Sequence, residues 1–182
     1  MDSDDKLIEA ARGEDSAFEV LVRRHYEKTF GLCWSLLHDH AAAQDATQEI
    51  FIKVYRRLES FQKNASFSTW LYRVAANHCL DILRKNRRER REPLETFLDR
   101  EAAATPQAAA SLETSDLIEK ALNRLSPQER LILTLREAQG LSYEEIAQTL
   151  ECSLDAVKAR LKRARQGLKE EARHFLEPGS VS

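Results

Sequence analysis

The chain has 182 residues, 42% hydrophobic and 32% charged, with a formal net charge of −2 and only five glycines and four prolines. That length holds one ordinary domain or two small ones, and the composition suits a soluble helical protein better than a sheet protein or a disordered chain. No apolar run approaches the roughly 18 residues of a membrane span, and the acidic start MDSDDKLIEAARGED is the reverse of a secretory leader, so a cytoplasmic protein is expected.

The near-neutral total conceals alternating blocks: −6 over residues 1–50, +8 over 51–91, −5 over 92–120, −1 over 121–150 and +2 over 151–182. Phosphate attraction is screened beyond about 10 Å at ordinary salt. Local blocks, rather than the total, therefore decide whether nucleic acid is held.

In chain order, Phe18, Leu21, Val22, Tyr26 and Phe30 recur at three-to-four spacing, as do Ile50, Phe51, Val54, Tyr55 and Leu58, and then Leu71, Val74, Ala75, Leu80 and Leu83. That period predicts amphipathic helices packed as one bundle over residues 5–91. No strand-like alternation appears, so the fold class is all-α. His38 and His40 fall on a short turn between two of these helices and are expected to be solvated. Cys33, Cys79 and Cys152 have no metal-ligand spacing and are expected to be reduced.

Within the basic block, Phe67, Trp70 and Tyr72 stand beside cations, a combination suited to single-stranded nucleic acid. Asn64, Ser66, Ser68 and Asn77 offer hydrogen bonds to a base drawn from its stack. Taken singly, Phe67, Trp70 and Leu71 fit a core better than a base platform. The stretch Glu92–Ser115, with Pro93, Pro106, an alanine cluster and an excess of acid, predicts a connector helical in places. Fully extended it spans about 80 Å.

Three capped helix starts follow. Ser126-Pro127-Gln128-Glu129 and Ser142-Tyr143-Glu144-Glu145 are capping boxes, Gly140 is a stop between them, and Ser153 caps a third helix. The last two helices, joined at Glu151-Cys152, have the layout of a helix-turn-helix. Leu154, Val157, Leu161, Ala164 and Leu168 form its inner stripe. Lys158, Ala159, Lys162 and Arg163, with Arg160 alongside, face outward, where the cations reach guanine edges or phosphates and Ala159 leaves room for close approach. Glu151 stands at a turn position where glycine is usual.

No catalytic chemistry is legible. His25, His38, His40, His78 and His174 have neither triad nor metal spacing and no glycine-rich phosphate loop occurs, so a non-enzyme without catalytic residue, metal, cofactor or small-molecule substrate is expected.

The order DATQEIFIKVYRRLESF, then FSTWLYRVAANHCLDILRKNRR, then a connector, then LSPQERLILTLREAQGLSYEEIAQTLECSLDAVKARLKRAR resembles the extracytoplasmic-function sigma factors of the sigma-70 family over about residues 7–172. The resemblance implies a region 2 unit over 5–91, an acidic flexible linker over 92–115 and a region 4 unit over 116–176. It implies that Asp45, Gln48 and Glu49, with Phe51 behind them, dock on the clamp helices of the largest subunit of core RNA polymerase, and that the chain also meets the flap of the second largest. Ala46-Thr47 replaces the larger aliphatic pair common there.

Residues 62–69, including Lys63, Asn64, Ser66, Phe67 and Ser68, match the loop that captures an unpaired base of the −10 element, with Trp70 beside it and Asn77 at the pocket position. Arg73, Arg84, Lys85 and Arg88 would hold phosphates. Lys158, Ala159, Arg160, Lys162 and Arg163 would meet the −35 element. An anti-sigma partner is implied, in the cytoplasm or holding the chain at the inner membrane, with a monomer when free. Two rival readings are a sigma-like decoy for an anti-sigma factor and a helix-turn-helix repressor that acts without polymerase.

Overall fold

The computed structural model describes residues 3–62, 64–89 and 112–176, and every regular element among them is helical. Lys63 and most of the expected connector lie outside the described residues.

Four helices form the amino-terminal unit: α1 (Ser3–Ala11), α2 (Asp15–Leu37), α3 (His40–Arg57) and α4 (Phe67–Glu89). The central helix is α2, packed against the other three. Its inner face runs Leu21, His25, Thr29, Leu32, Cys33 and Leu36, all buried, and each fully buried leucine contributes about 1.5–3 kcal/mol. Small Ala43 and Ala46 on α3, and Ala75 and Ala76 on α4, let the helices cross closely.

Polar groups between α1 and α2 in this core are paired. Asp4 meets Arg24 at 2.5 Å and His25 at 2.8 Å, and Thr29 donates to the His25 carbonyl. Cys33 and Cys79, 46 positions apart in sequence, meet between α2 and α4. The hydrogen bond to Cys33, aided by burial, holds the Cys79 thiol well above its ordinary range, so it stays protonated.

Helix α3 starts at Asp39, whose side chain accepts from the Ala42 amide at 2.8 Å. The preceding residue, His38, ends α2 in the left-handed region at φ 51°. It is not solvated as the sequence suggests: it is half-buried against Arg130 of the carboxy-terminal unit. Burial first, then the Arg130 charge, pushes its pKa down to about 4.

The carboxy-terminal unit comprises α5 (Leu112–Arg124), α6 (Pro127–Leu133), a π-helical turn (Thr134–Ala138), α7 (Tyr143–Thr149) and α8 (Leu154–Leu176). Helix α5 begins inside the stretch read above as connector, and its Ala121 is fully buried. Both capping boxes form: Ser126 pairs with Glu129, and Ser142 with Glu145. Gly140, at φ 72°, makes the stop before α7 that a side chain would strain. Gly167 serves packing, since a Cβ there would lie 3.1 Å from the Leu125 side chain.

Ile146 of α7 packs on Val157 and Leu161 of α8, all three at or below 1% exposure. Leu154, expected to begin this inner stripe, is 39% exposed, so the stripe starts at Val157. The two units also touch each other. The Tyr72 hydroxyl donates to Gln139 Oε1 at 2.9 Å, Gln139 Nε2 donates to the Lys28 carbonyl at 3.3 Å, and Thr134 donates to Ser35 at 3.1 Å.

Candidate nucleic-acid interface

The first basic face is built on α4 and the loop before it. Arg12 holds that loop by donating to the Phe61 carbonyl at 3.0 Å. Ser66 caps the helix, accepting from the Thr69 amide at 3.1 Å and pairing with the Thr69 hydroxyl at 2.8 Å. Its hydroxyl is therefore already engaged as a cap. Phe61, Phe67 and Trp70 form an aromatic cluster with ring centres 4.8–6.0 Å apart.

Phe67 is 3% exposed and cannot receive a base; it belongs to the core, where His25 packs on its ring. Trp70 is half-buried and borders an open cavity of about 460 Å³ that also has Gln62, Asn64 and Arg73 in its wall. Ser68 is half-buried at the start of α4. Asn77 is exposed but faces a second cleft, of about 320 Å³, with Glu129, Thr149 and Arg163 around it. Asn64 and Asn77 are thus not brought into one pocket.

Along α4, Arg73, Asn77, Arg84 and Arg88 fall within an arc of about 60° at 3.6 residues per turn, with Lys85 beside it. Arg84, Lys85 and Arg88 are exposed, and Arg84 and Lys85 pair locally, with Asp81 at 3.1 Å and Glu89 at 3.9 Å. Such exposed pairs are worth little and yield readily to a phosphate. Arg73 instead reaches across to Glu151, at 3.2 Å.

The second face is on α8. Backbone bonds from Leu150 to Ile146 and from Cys152 to Ala147 shape the turn, with Glu151 at φ 50°, and the Ser153 hydroxyl accepts from the Ala156 amide at 3.2 Å. Lys158, Ala159, Arg160, Lys162 and Arg163 are all exposed. They divide between two sides. Arg160 and Arg163 line the cleft beside Asn77, whereas Lys158 and Lys162 line a groove with Tyr143, Arg165 and Lys169. Lys169 was missed from the sequence, although it lies one heptad beyond Lys162 on the same face.

A third patch lies on α3. Asp45, Gln48 and Glu49 are exposed on one side of the helix, with Ile52, 50% exposed, one turn on. Phe51 is 6% exposed and stacked 6.3 Å from Tyr26, so it supports the patch from the core and does not reach a partner. Ala46 and Thr47 also point inward, Thr47 donating to the Ala43 carbonyl at 2.7 Å. Their small size therefore acts on packing. Glu49 lies 3.3 Å from His78 Nε2, out of hydrogen-bond alignment, while Lys53 meets His78 Nδ1 at 2.5 Å. Burial, then Lys53, lowers the His78 pKa.

Comparison with known proteins covers both units. The sequence model of Sigma-70 region 2 matches residues 21–89, and that of Sigma-70, region 4 matches residues 115–168. The chain is 34% identical over 178 residues to the RNA polymerase sigma-H factor of Pseudomonas aeruginosa, covering 92% of each protein. It is 32% identical over 180 residues to the ECF RNA polymerase sigma-E factor of Escherichia coli K12, covering 91% of this chain and 92% of that one. Among solved structures, the sigma factor RpoE in complex with the anti-sigma factor NepR from Bartonella quintana superposes with a TM-score of 0.72 at 29% identity, over 86% of this chain and 96% of that one.

Proposed function

As a member of the extracytoplasmic-function branch of the sigma-70 family, the chain is an alternative sigma factor, and we propose that it divides promoter recognition between its two units while bound to core RNA polymerase. The unit over 5–91 serves the −10 element, the unit over 116–176 reads the −35 element, and the acidic connector over 92–115 joins them across the polymerase. The carrying observation is that one chain presents two separate cationic helix faces, on α4 and α8, with an open cavity bordered by Trp70, Asn64 and Arg73 beside the first.

In this reading polymerase supplies the chemistry and the chain supplies address and strand opening. Lys158, Lys162 and Lys169 lie along a duplex groove, and Arg160 and Arg163 approach its other edge. Arg84, Lys85 and Arg88 follow the backbone toward the −10 element. A base held beside Trp70 and Asn64, with Arg73 on its phosphate, favours the melted state by about 1–3 kcal/mol. Asp45, Gln48 and Glu49 present carboxylate and amide groups that suit arginines on the clamp helices of the largest subunit, and the carboxy-terminal unit meets the flap of the second largest. We place the protein in the cytoplasm, with an anti-sigma factor as its regulator.

The exposed cations of α8 argue against a decoy, which needs no reading face. The acidic patch on α3 would have no task in a repressor that acts alone. The test is core polymerase reconstituted with the chain, given a genomic DNA library, with the 5′ ends of the transcripts sequenced. A defined set of starts sharing two upstream motifs is expected; starts no different from core enzyme alone would overturn the reading.

A further inference from the structure

We infer that Glu151 is an internal stand-in for a DNA phosphate: in the free chain its carboxylate occupies Arg73 and, with Gln148, lines the cavity proposed for a −10 base, so the two units must part before DNA takes that place. The inference rests on the proposed phosphate role of Arg73.

Glu151 is an odd residue for its place. It adopts φ 50°, a conformation that glycine takes freely and an L side chain takes at a cost. The turn itself has no use for the carboxylate, because its hydrogen bonds, Leu150 to Ile146 and Cys152 to Ala147, are all backbone. The carboxylate instead crosses to the other unit, where Oε1 lies 3.2 Å from Arg73 Nη1. Glu151 is also the residue that lines both cavities, the one beside Trp70 and Asn64 and the cleft that holds Asn77 and Arg163. One side chain thus stands at both candidate base-contacting sites.

Closure of the units does not depend on this pair. Tyr72 with Gln139, Gln139 with Lys28, Thr134 with Ser35, and Arg130 with His38 already hold the carboxy-terminal unit against α2 and α4. Glu151 adds occupancy of a cationic site by a group of the same sign and similar reach as a phosphate oxygen. The two side chains are 68% and 38% exposed, so the pair is weak and displaceable. A weak contact suits a cover that must yield once polymerase separates the units.

Two measurements on the full-length chain test this. In Arg73→Lys protein, a zero-length carbodiimide should join positions 73 and 151 within the free chain and fail to do so once core polymerase is bound; no link in the free chain, or a link that persists on polymerase, overturns closure. In fluorescence anisotropy with a pool of short random single-stranded DNA, Glu151→Gln should bind about twofold to fivefold tighter than the natural chain, the range for releasing one exposed ion pair. That gain should vanish in an Arg73→Ala background. No gain, or an equal gain in both backgrounds, overturns the stand-in and leaves the Arg73 role intact. Holoenzyme carrying Arg73→Ala that opens promoters normally overturns the phosphate role itself, and the stand-in with it.

Discussion

The two cationic faces of this molecule are built on different plans. On α8 the candidate contacts are set by helical period: Val157, Leu161 and Ala164 are buried on one side, and Lys158, Ala159, Lys162 and Arg163 are exposed around the rest, between a groove and a cleft. On α4 and its preceding loop, polar candidates are threaded through an aromatic cluster whose inner members are core. Phe67 at 3% exposure and Trp70 at half-burial are three residues apart and have opposite uses. A face set by helical period is fixed by sequence spacing, whereas a face set by a loop against a bundle is fixed by tertiary packing.

That contrast breaks first at the shared anchor. Asp45→Arg combined with Glu49→Arg places two cations where the clamp helices offer arginine, and should abolish co-purification with core polymerase; retained binding would remove the docking assignment from the α3 patch. Next in size, Asn77→Ala should slow open-complex formation about tenfold, the cost of one unmade hydrogen bond to a melted base met in its own cleft, apart from the Trp70 cavity, with duplex binding unchanged. Equal loss in permanganate reactivity and in duplex affinity would mean that α4 does not discriminate melted DNA.

On α8 the effects should be smaller and dependent on salt. Lys158→Ala or Lys162→Ala should weaken −35 duplex binding and lower the salt slope by about one unit where the contact is to phosphate. An unchanged slope for both, with a changed slope for Arg160→Ala or Arg163→Ala, would move the reading face to the cleft side.

The smallest expected effect lies between the units. Because the folded chain holds His38 at about 4 instead of its ordinary 6.5, the unfolded chain binds the extra proton within that window. Stability is untouched above about 6.5 and falls as pH drops toward about 4. His38→Asn, which tolerates the left-handed backbone, should flatten that part of the fall in melting temperature; an identical pH profile would show that His38 does not report on the interface.

Much of this was legible beforehand, for identifiable reasons. Ser126 with Glu129 and Ser142 with Glu145 are local reciprocal bonds, so the sequence suffices to place them. The buried stripe from Val157 is likewise a matter of period. What was hidden is long-range. The meeting of Cys33 with Cys79, of His38 with Arg130 and of Arg73 with Glu151 depends on how α2, α4, α6 and the α7–α8 turn are juxtaposed, which no spacing encodes. The start of α5 was masked by the acidic, alanine-rich composition shared with the connector. Phe51 and Phe67 entered the candidate contacts through the family resemblance; the helical period already turns both inward, and at 6% and 3% exposure both are core.

The most direct test of two units acting at separate places on one promoter is a hydroxyl-radical footprint of the reconstituted holoenzyme on a promoter from the transcript screen. Two protected patches are predicted, the upstream one weakened by Lys162→Ala and the downstream one by Asn77→Ala, each without loss of the other. A single continuous footprint that responds equally to both substitutions would contradict the division of labour.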